Sequence, residues 1–204
     1  MWALVEDNSI TKIINKPKGM VIGDIRHSRK IFELWSAEEL NAIGIYEIVF
    51  DNSNKKDEEY YTNTDQSFNY ADGEVIASYG TATPKELDDI NETNEDGSLM
   101  LDDKGKQVVT KGLKSQKKDI IKQQASGLLT PTDWYVLKAT DVESYSVPSA
   151  VSTFRADVRT RSNEMETAID NANDVDALKT LYQYSKQSDG SITRPLGEFP
   201  TLEI

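Results

Sequence analysis

Apolar residues are spaced in two different ways along this chain, and the change between them restricts the fold more than any other feature. Up to about residue 90 they come in short runs broken by turn signals, the pattern of strands. From Leu113 onward they recur near a 3.6-residue period, the pattern of helices. The change predicts an α+β protein: a small strand-rich amino-terminal domain with one or two short helices, then a carboxy-terminal antiparallel helical module. The expected boundaries are 1–90 for the strand-rich domain, 91–112 for a charged linker or marginal hairpin, 113–184 for the helical module and 185–204 for an extended tail.

Within the front part, Met1-Trp2-Ala3-Leu4-Val5-Glu6 is an apolar run stopped by Asp7-Asn8, and Thr11-Lys12-Ile13-Ile14 and Met20-Val21-Ile22 offer it partners. Ser36-Ala37-Glu38-Glu39 spells a capping box, in which the serine hydroxyl accepts from the Glu39 amide while the Glu39 carboxylate reaches back. Trp35 and Leu40 stand at the two positions of a hydrophobic staple, and Gly44 is placed to end the helix. Strands are expected at Ile45–Phe50, Glu59–Thr62, Ser67–Tyr70 and Glu74–Tyr79, the last two joined through Asp72-Gly73. Thr83-Pro84-Lys85-Glu86 repeats the capping logic and predicts a further short helix with Leu87 and Ile90 on its apolar face.

Residues 91–112 carry two turn signals, Asn94–Ser98 and Asp102–Gly105, around Leu99-Met100-Leu101 and Val108-Val109. Charge changes sign across this stretch, from acidic before Asp103 to lysine-rich after it. Two solvated faces are the simpler account, a pairing surface between copies the sharper one. Beyond it, Leu113, Ile120, Ile121, Ala125, Leu128 and Leu129 fit one amphipathic helix. Thr130-Pro131-Thr132-Asp133 turns the chain into a second helix bearing Trp134, Val136 and Leu137. Ser146-Val147-Pro148-Ser149 reads as another cap. It precedes a helix with Val151, Phe154, Val158, Met165, Ala168 and Ile169 on one stripe, and a short helix starts at Asp174. The polar, turn-rich tail is expected to wrap a surface or a neighbouring chain.

Composition bears on function mainly by exclusion. Twenty-three Lys and Arg stand against 35 Asp and Glu, a formal charge of −12, which suits solubility and argues against non-specific nucleic-acid binding. No stretch approaches the roughly 20 apolar residues that span a bilayer, and Met1–Ile10 lacks the basic and apolar regions of a secretory signal. With no cysteine, disulfides and thiolate chemistry are impossible. The one histidine, His27, lies among Arg26, Arg29 and Lys30, a setting for a surface turn and not for a general base. Serine elbows, phosphate loops and dinucleotide fingerprints are missing. Asp88-Asp89 and Asp102-Asp103 are adjacent in sequence and point apart in regular structure, and the alternating ligands of a calcium loop are not there. These features predict a protein that is not an enzyme and has no cofactor or metal. Tyr60, Tyr61, Phe68, Tyr70 and Tyr79 remain as an aromatic strip. Cross-strand packing is the first explanation for it, a carbohydrate- or partner-binding surface the second.

One array carries a family resemblance. Leu128-Leu129-Thr130-Pro131-Thr132-Asp133-Trp134, followed by Val147-Pro148 and by Phe154-Arg155-Ala156-Asp157-Val158-Arg159, resembles the carboxy-terminal module of bacteriophage tail-fibre assembly and tail assembly chaperone proteins. That module reads as a leucine pair, T-D-W, I-P or L-P, and a helix with a Y-R-x-x-L-R-like sequence; Phe154 stands here in place of the usual Tyr. Met1–Glu6, with Ile31–Ser36 and Ala42–Tyr46, is similar to the start of proteins encoded among tail genes of marine phages.

The resemblance implies a tail-associated structural protein of the virion, made in the host cytoplasm. Its partners would be other phage tail or fibre proteins, in a homo-oligomeric assembly without nucleic acid or membrane. A tail-fibre assembly chaperone is the alternative, and a carbohydrate-binding adhesin the third reading. Trp134, Phe154, Arg155, Arg159, Tyr60 and Tyr61 are the partner-binding candidates. In local terms Thr132 is expected to cap the second helix and Trp134 to anchor it against Phe154 and Val158. Arg155 and Arg159 would pair with acids of this chain or a partner.

Overall fold

The front half does form a sheet, and the back half helices. A computed structural model describes residues 1–203, in two compact units divided between Thr83 and Pro84. The class is α+β, as the two spacings require.

In the first unit, strand β1 (Trp2–Glu6) turns through Asp7 and Asn8, both at positive φ, into β2 (Ser9–Ile14). Two such residues make the turn whose twist matches paired strands, and Asp and Asn tolerate that conformation better than most side chains. A short hairpin, β3 (Met20–Ile22) and β4 (Ile25–His27), leads to α1 (Ile31–Leu34) and α2 (Ala37–Asn41). The expected capping box on α2 is present: the Glu39 amide donates to Ser36 Oγ (3.2 Å) and the Ser36 amide to Glu39 Oε2 (2.8 Å). Next come β5 (Ile45–Asp51), a two-residue β6 (Tyr61–Thr62), β7 (Gln66–Ala71) and β8 (Glu74–Tyr79). Tyr60 precedes β6 in a turn, so the expected strand from Glu59 shrinks to its last two residues.

The main sheet runs β2-β1-β5-β8-β7, with β5 and β8 parallel and the other pairs antiparallel. It curls until its outer strands β2 and β7 approach each other. Strand alternation then makes two cores from one sheet. Leu4, Ile14 and Ile45 face Met20, Ile31 and Leu40 on one side. Ala3, Val5, Ile48, Val75 and Ala77 fill the inside of the curl with Phe68 and Tyr70.

The second unit opens where a helix was expected after Thr83-Pro84. There is none. Thr83–Pro84 is a two-residue strand, β9, and the backbone of 86–89 instead caps another element. Amides of Leu113 and Lys114, at the start of α3 (Leu113–Leu129), donate to the carbonyls of Glu86 and Leu87, both at 2.9 Å. Gly112 N–H donates to Asp89 Oδ1 (2.9 Å). The orphan donors of α3 thus draw Glu86–Asp89 out of its own helix.

Residues 90–110 are neither a linker nor a simple hairpin. Their short stem, β10 (Ile90–Asn91) against β11 (Val109–Thr110), opens into two arms that turn at Asn94–Ser98 and Asp102–Lys106. At the junction Glu92 N–H donates to Val108 O, Val108 N–H to Met100 O, and Met100 N–H to Glu92 O, at 2.8 to 2.9 Å. The three residues are eight apart in sequence, as are Gly97 and Gly105, whose φ values of +82° and +75° close the two arms. Glycine meets that conformation without the steric penalty other residues bear.

Helix α3 buries Leu113, Lys117, Ile121 and Ala125, and leaves Ile120, expected on its apolar face, exposed. The true face steps by four residues, and Lys117 joins it by laying its ammonium over the Tyr182 ring at 4.6 Å. Residues Thr130–Thr132 form one 3-10 turn before α4 (Asp133–Asp141), then come α5 (Ser149–Asp170) and α6 (Val175–Leu181). Ion pairs Lys118–Asp170 (2.7 Å) and Lys122–Glu166 (3.3 Å) set α3 and α5 antiparallel. Val151, Phe154, Val158, Met165 and Ile169 are buried as the stripe predicts. The cap expected from Ser146 is absent, since Pro148 itself is the N-cap and no side chain bonds there. Asp174 caps α6 through the Ala177 amide (2.7 Å).

After a small hairpin, β12 (Ser185–Lys186) and β13 (Ile192–Thr193), the tail folds back on its own unit. Leu196 is buried and donates its N–H to Leu181 O (2.9 Å), while Arg161 donates to the carbonyls of Leu196 and Glu198. Phe199 and Leu202 cover Ala125, Phe154 and Val158. Among the described residues no helix is long and apolar enough to cross a membrane.

Candidate functional site

The corner between α3 and α4 is where the motif residues converge. Pro131 prevents α3 from continuing unbroken, and the chain turns through one 3-10 step. Arg155, one helix away on α5, then locks the corner. Its guanidinium donates to Leu129 O (2.9 Å) and to the Thr132 hydroxyl, and pairs with Asp133 Oδ1 at 2.8 Å. Thr132 Oγ1 in turn donates to Leu129 O (2.7 Å). A planar fork suits this job, because one side chain satisfies a carbonyl, a hydroxyl and a carboxylate at fixed angles.

Two local expectations change. Thr132 is buried and bound to Arg155 and Leu129, so it does not cap α4. Trp134 does not anchor α4 against Phe154 and Val158 either: it is 50% exposed, and no residue of α4 is buried. The indole stacks on Tyr135 (centroids 3.8 Å apart), and the Lys138 ammonium lies 4.3 Å from the Tyr145 ring. Leu137, 64% exposed, follows Trp134 by three residues, so the two share a face; Lys138 and Asp141 deny that face a longer apolar stripe. The corner therefore presents a short helix with an uncovered aromatic and aliphatic surface on a fixed mount.

The other candidates divide. Phe154 is buried under Phe199 and Leu202, and Arg155 is committed to the corner, so neither meets a partner directly. Arg159 is exposed, and its guanidinium donates to the Arg155 carbonyl (3.0 Å), not to an acid. Tyr60 and Tyr61 are 3% and 8% exposed, which removes them as a contact strip. Phe68 and Tyr70 pack inside the curled sheet, where the Tyr46 and Tyr70 hydroxyls share a hydrogen bond (3.1 Å) that, with burial, raises the Tyr46 pKa above its ordinary value. Packing within the sheet accounts for Phe68 and Tyr70.

His27 sets its ring edge-on to Trp35 at 5.8 Å. Among the described residues no three His, Asp or Glu side chains converge as metal ligands. Sequence inspection missed the exposure of Val136 and Leu137. The available signal was α4 itself, nine residues whose apolar positions stop after one turn.

Comparison of the chain with protein-family models, with curated proteins and with solved structures gives no match.

Proposed function

We propose that this chain is a bacteriophage tail-associated structural protein that works through protein–protein contacts, with α4 as a docking element for another tail or fibre protein. The observation that carries the reading is the corner: Arg155 fixes a helix that contributes nothing to its own unit's core and turns Trp134 and Leu137 outward. Burying a Trp and a Leu is a large hydrophobic gain, and a rigid mount lowers the ordering cost of taking it. The resemblance of Leu128–Trp134 and Phe154–Arg159 to tail assembly modules gives the class of partner. On this reading the protein is made in the host cytoplasm, enters the tail, and needs no cofactor, nucleic acid or membrane.

Mass spectrometry of purified particles tests it. The chain should be present in stable ratio to tail proteins, and a Trp134→Ala, Leu137→Ala variant should be depleted from particles while remaining folded in lysates. Absence of the wild-type chain from particles would reject a structural role. If folded fibre yield also fell without the chain, the same contact would serve an assembly chaperone.

A further inference from the structure

Two surfaces, one on each unit, are uncovered, apolar and opposite in charge, and we propose that they join copies of this chain head to tail. The first is the three-way junction of residues 90–110. Its backbone ring is complete but it has no core: Ile90, Leu99, Met100, Leu101 and Val109 are all exposed, Leu99 by 59%. So few short strands are marginal without a covering layer. Residues 90–110 carry five acids, Glu92, Glu95, Asp96, Asp102 and Asp103, against Lys104 and Lys106, so the junction is acidic on balance.

The second surface is the hairpin of β3 and β4 with the end of α1. Val21, Ile25 and Leu34 are exposed by 61%, 64% and 74%, and Trp35 beside them is held by His27. Here the charge is reversed. Lys12, Lys16, Lys18, Arg26, Arg29 and Lys30 are all exposed, against Asp24 and Glu33 among residues 11–35, with Glu33 paired to Arg29 at 3.1 Å.

A second copy is the occupant that fits. The chain is strongly acidic as a whole, so copies repel each other at most orientations; the junction, acidic on balance, is attracted where positive charge is concentrated. Exposed apolar side chains of each surface, Ile25 and Leu34 on one and Leu99 and Leu101 on the other, supply the affinity and the charges supply the register. Each copy offers one surface of each kind, and such a heterologous contact repeats into a ring or an open row.

The test needs only the purified full-length chain and therefore stands apart from the tail assignment. Native mass spectrometry and sedimentation should find association that grows with concentration and weakens at least tenfold when exposed charges are screened by salt. Arg26→Glu with Lys30→Glu should be monomeric alone, as should Glu95→Lys with Asp103→Lys. Mixed, the two variants should associate again, because each unchanged surface meets its unchanged complement and the two reversed surfaces complement each other. Circular dichroism of each variant checks its fold. A monomeric wild-type chain, unaffected association in either variant alone, or a mixture that stays monomeric overturns the proposal.

Discussion

Arg155 and Asp133 are joined at 2.8 Å across the α3–α4 corner, an acid half exposed to water and a guanidinium almost wholly covered. An ion pair alone so close to solvent would contribute little. The same guanidinium also donates to Leu129 O and Thr132, so its loss removes two further hydrogen bonds from a largely covered corner. Arg155→Met should therefore destabilise the second unit by about 1–3 kcal/mol in urea unfolding. Arg155→Lys should recover only part of that, and hydrogen exchange should report α4 opening first.

Gly112 and Gly127 make opposite predictions within a few turns of chain. A Cβ on Gly112 would sit 2.4 Å from the Asp88 carbonyl oxygen and 2.5 Å from the Leu87 oxygen, both backbone atoms of the segment that caps α3. Gly112→Ala should cost about 1–3 kcal/mol. A Cβ on Gly127, inside α3, would meet nothing within 4 Å. Gly127→Ala should stabilise by about 0.5–1 kcal/mol, read as a rise in midpoint without a change in slope.

Acid should loosen the junction before it unfolds the cores. Hydrogen bonds from the Ser98 hydroxyl and amide hold the Asp96 carboxyl below its ordinary value, and the Lys106 and Lys104 amides do the same for Asp102. A depressed folded pKa means that the stabilisation is fully present above the unfolded value of about 3.9. It disappears as pH falls through the folded value. The Ser98 and Lys106 amide resonances should shift below about pH 4, with Asp102→Asn removing the Lys106 response.

Trp134→Ala should separate stability from binding. The side chain is half exposed and touches Tyr135 and Lys138 and not the core, so unfolding free energy should change by less than about 0.5 kcal/mol. On the proposed function, capture of a tail partner should be lost. A drop in stability comparable to that of Arg155→Met would instead make Trp134 a packing residue.

Local grammar was the readable part of this fold. Ser36 and Glu39, Asp72-Gly73 and the stripe from Val151 to Ile169 each state their conformation within a few residues, and each holds. What failed depended on distant partners. Thr83-Pro84 has a good helix start, but α3 claims the carbonyls of Glu86 and Leu87 from beyond the junction. Trp134 looks like a core anchor by type, yet Leu202 and Phe199, some seventy residues on, already cover the Phe154 cluster it was assigned to. The repeat of Glu92, Met100 and Val108 was visible only as two turn signals, since a backbone ring places no demand on side-chain type. In the array from Leu129 to Arg159, Thr132, Asp133 and Arg155 do meet at one corner, but Trp134, expected to be packed against Phe154 and Val158, faces outward.

The fold-back of the carboxy-terminal tail has a bearing on synthesis. Helix α3 is complete at Leu129, but Phe199 and Leu202, which cover its Ala125 face, come about 70 residues later. At roughly 5–20 residues per second, about 70 residues of further translation leave that face bare for about 4–14 s. The helical unit is thus finished in one late step, and a ribosome stalled anywhere in α5 or α6 would hold a nascent chain whose greasiest helix pair is still open to whatever it meets first.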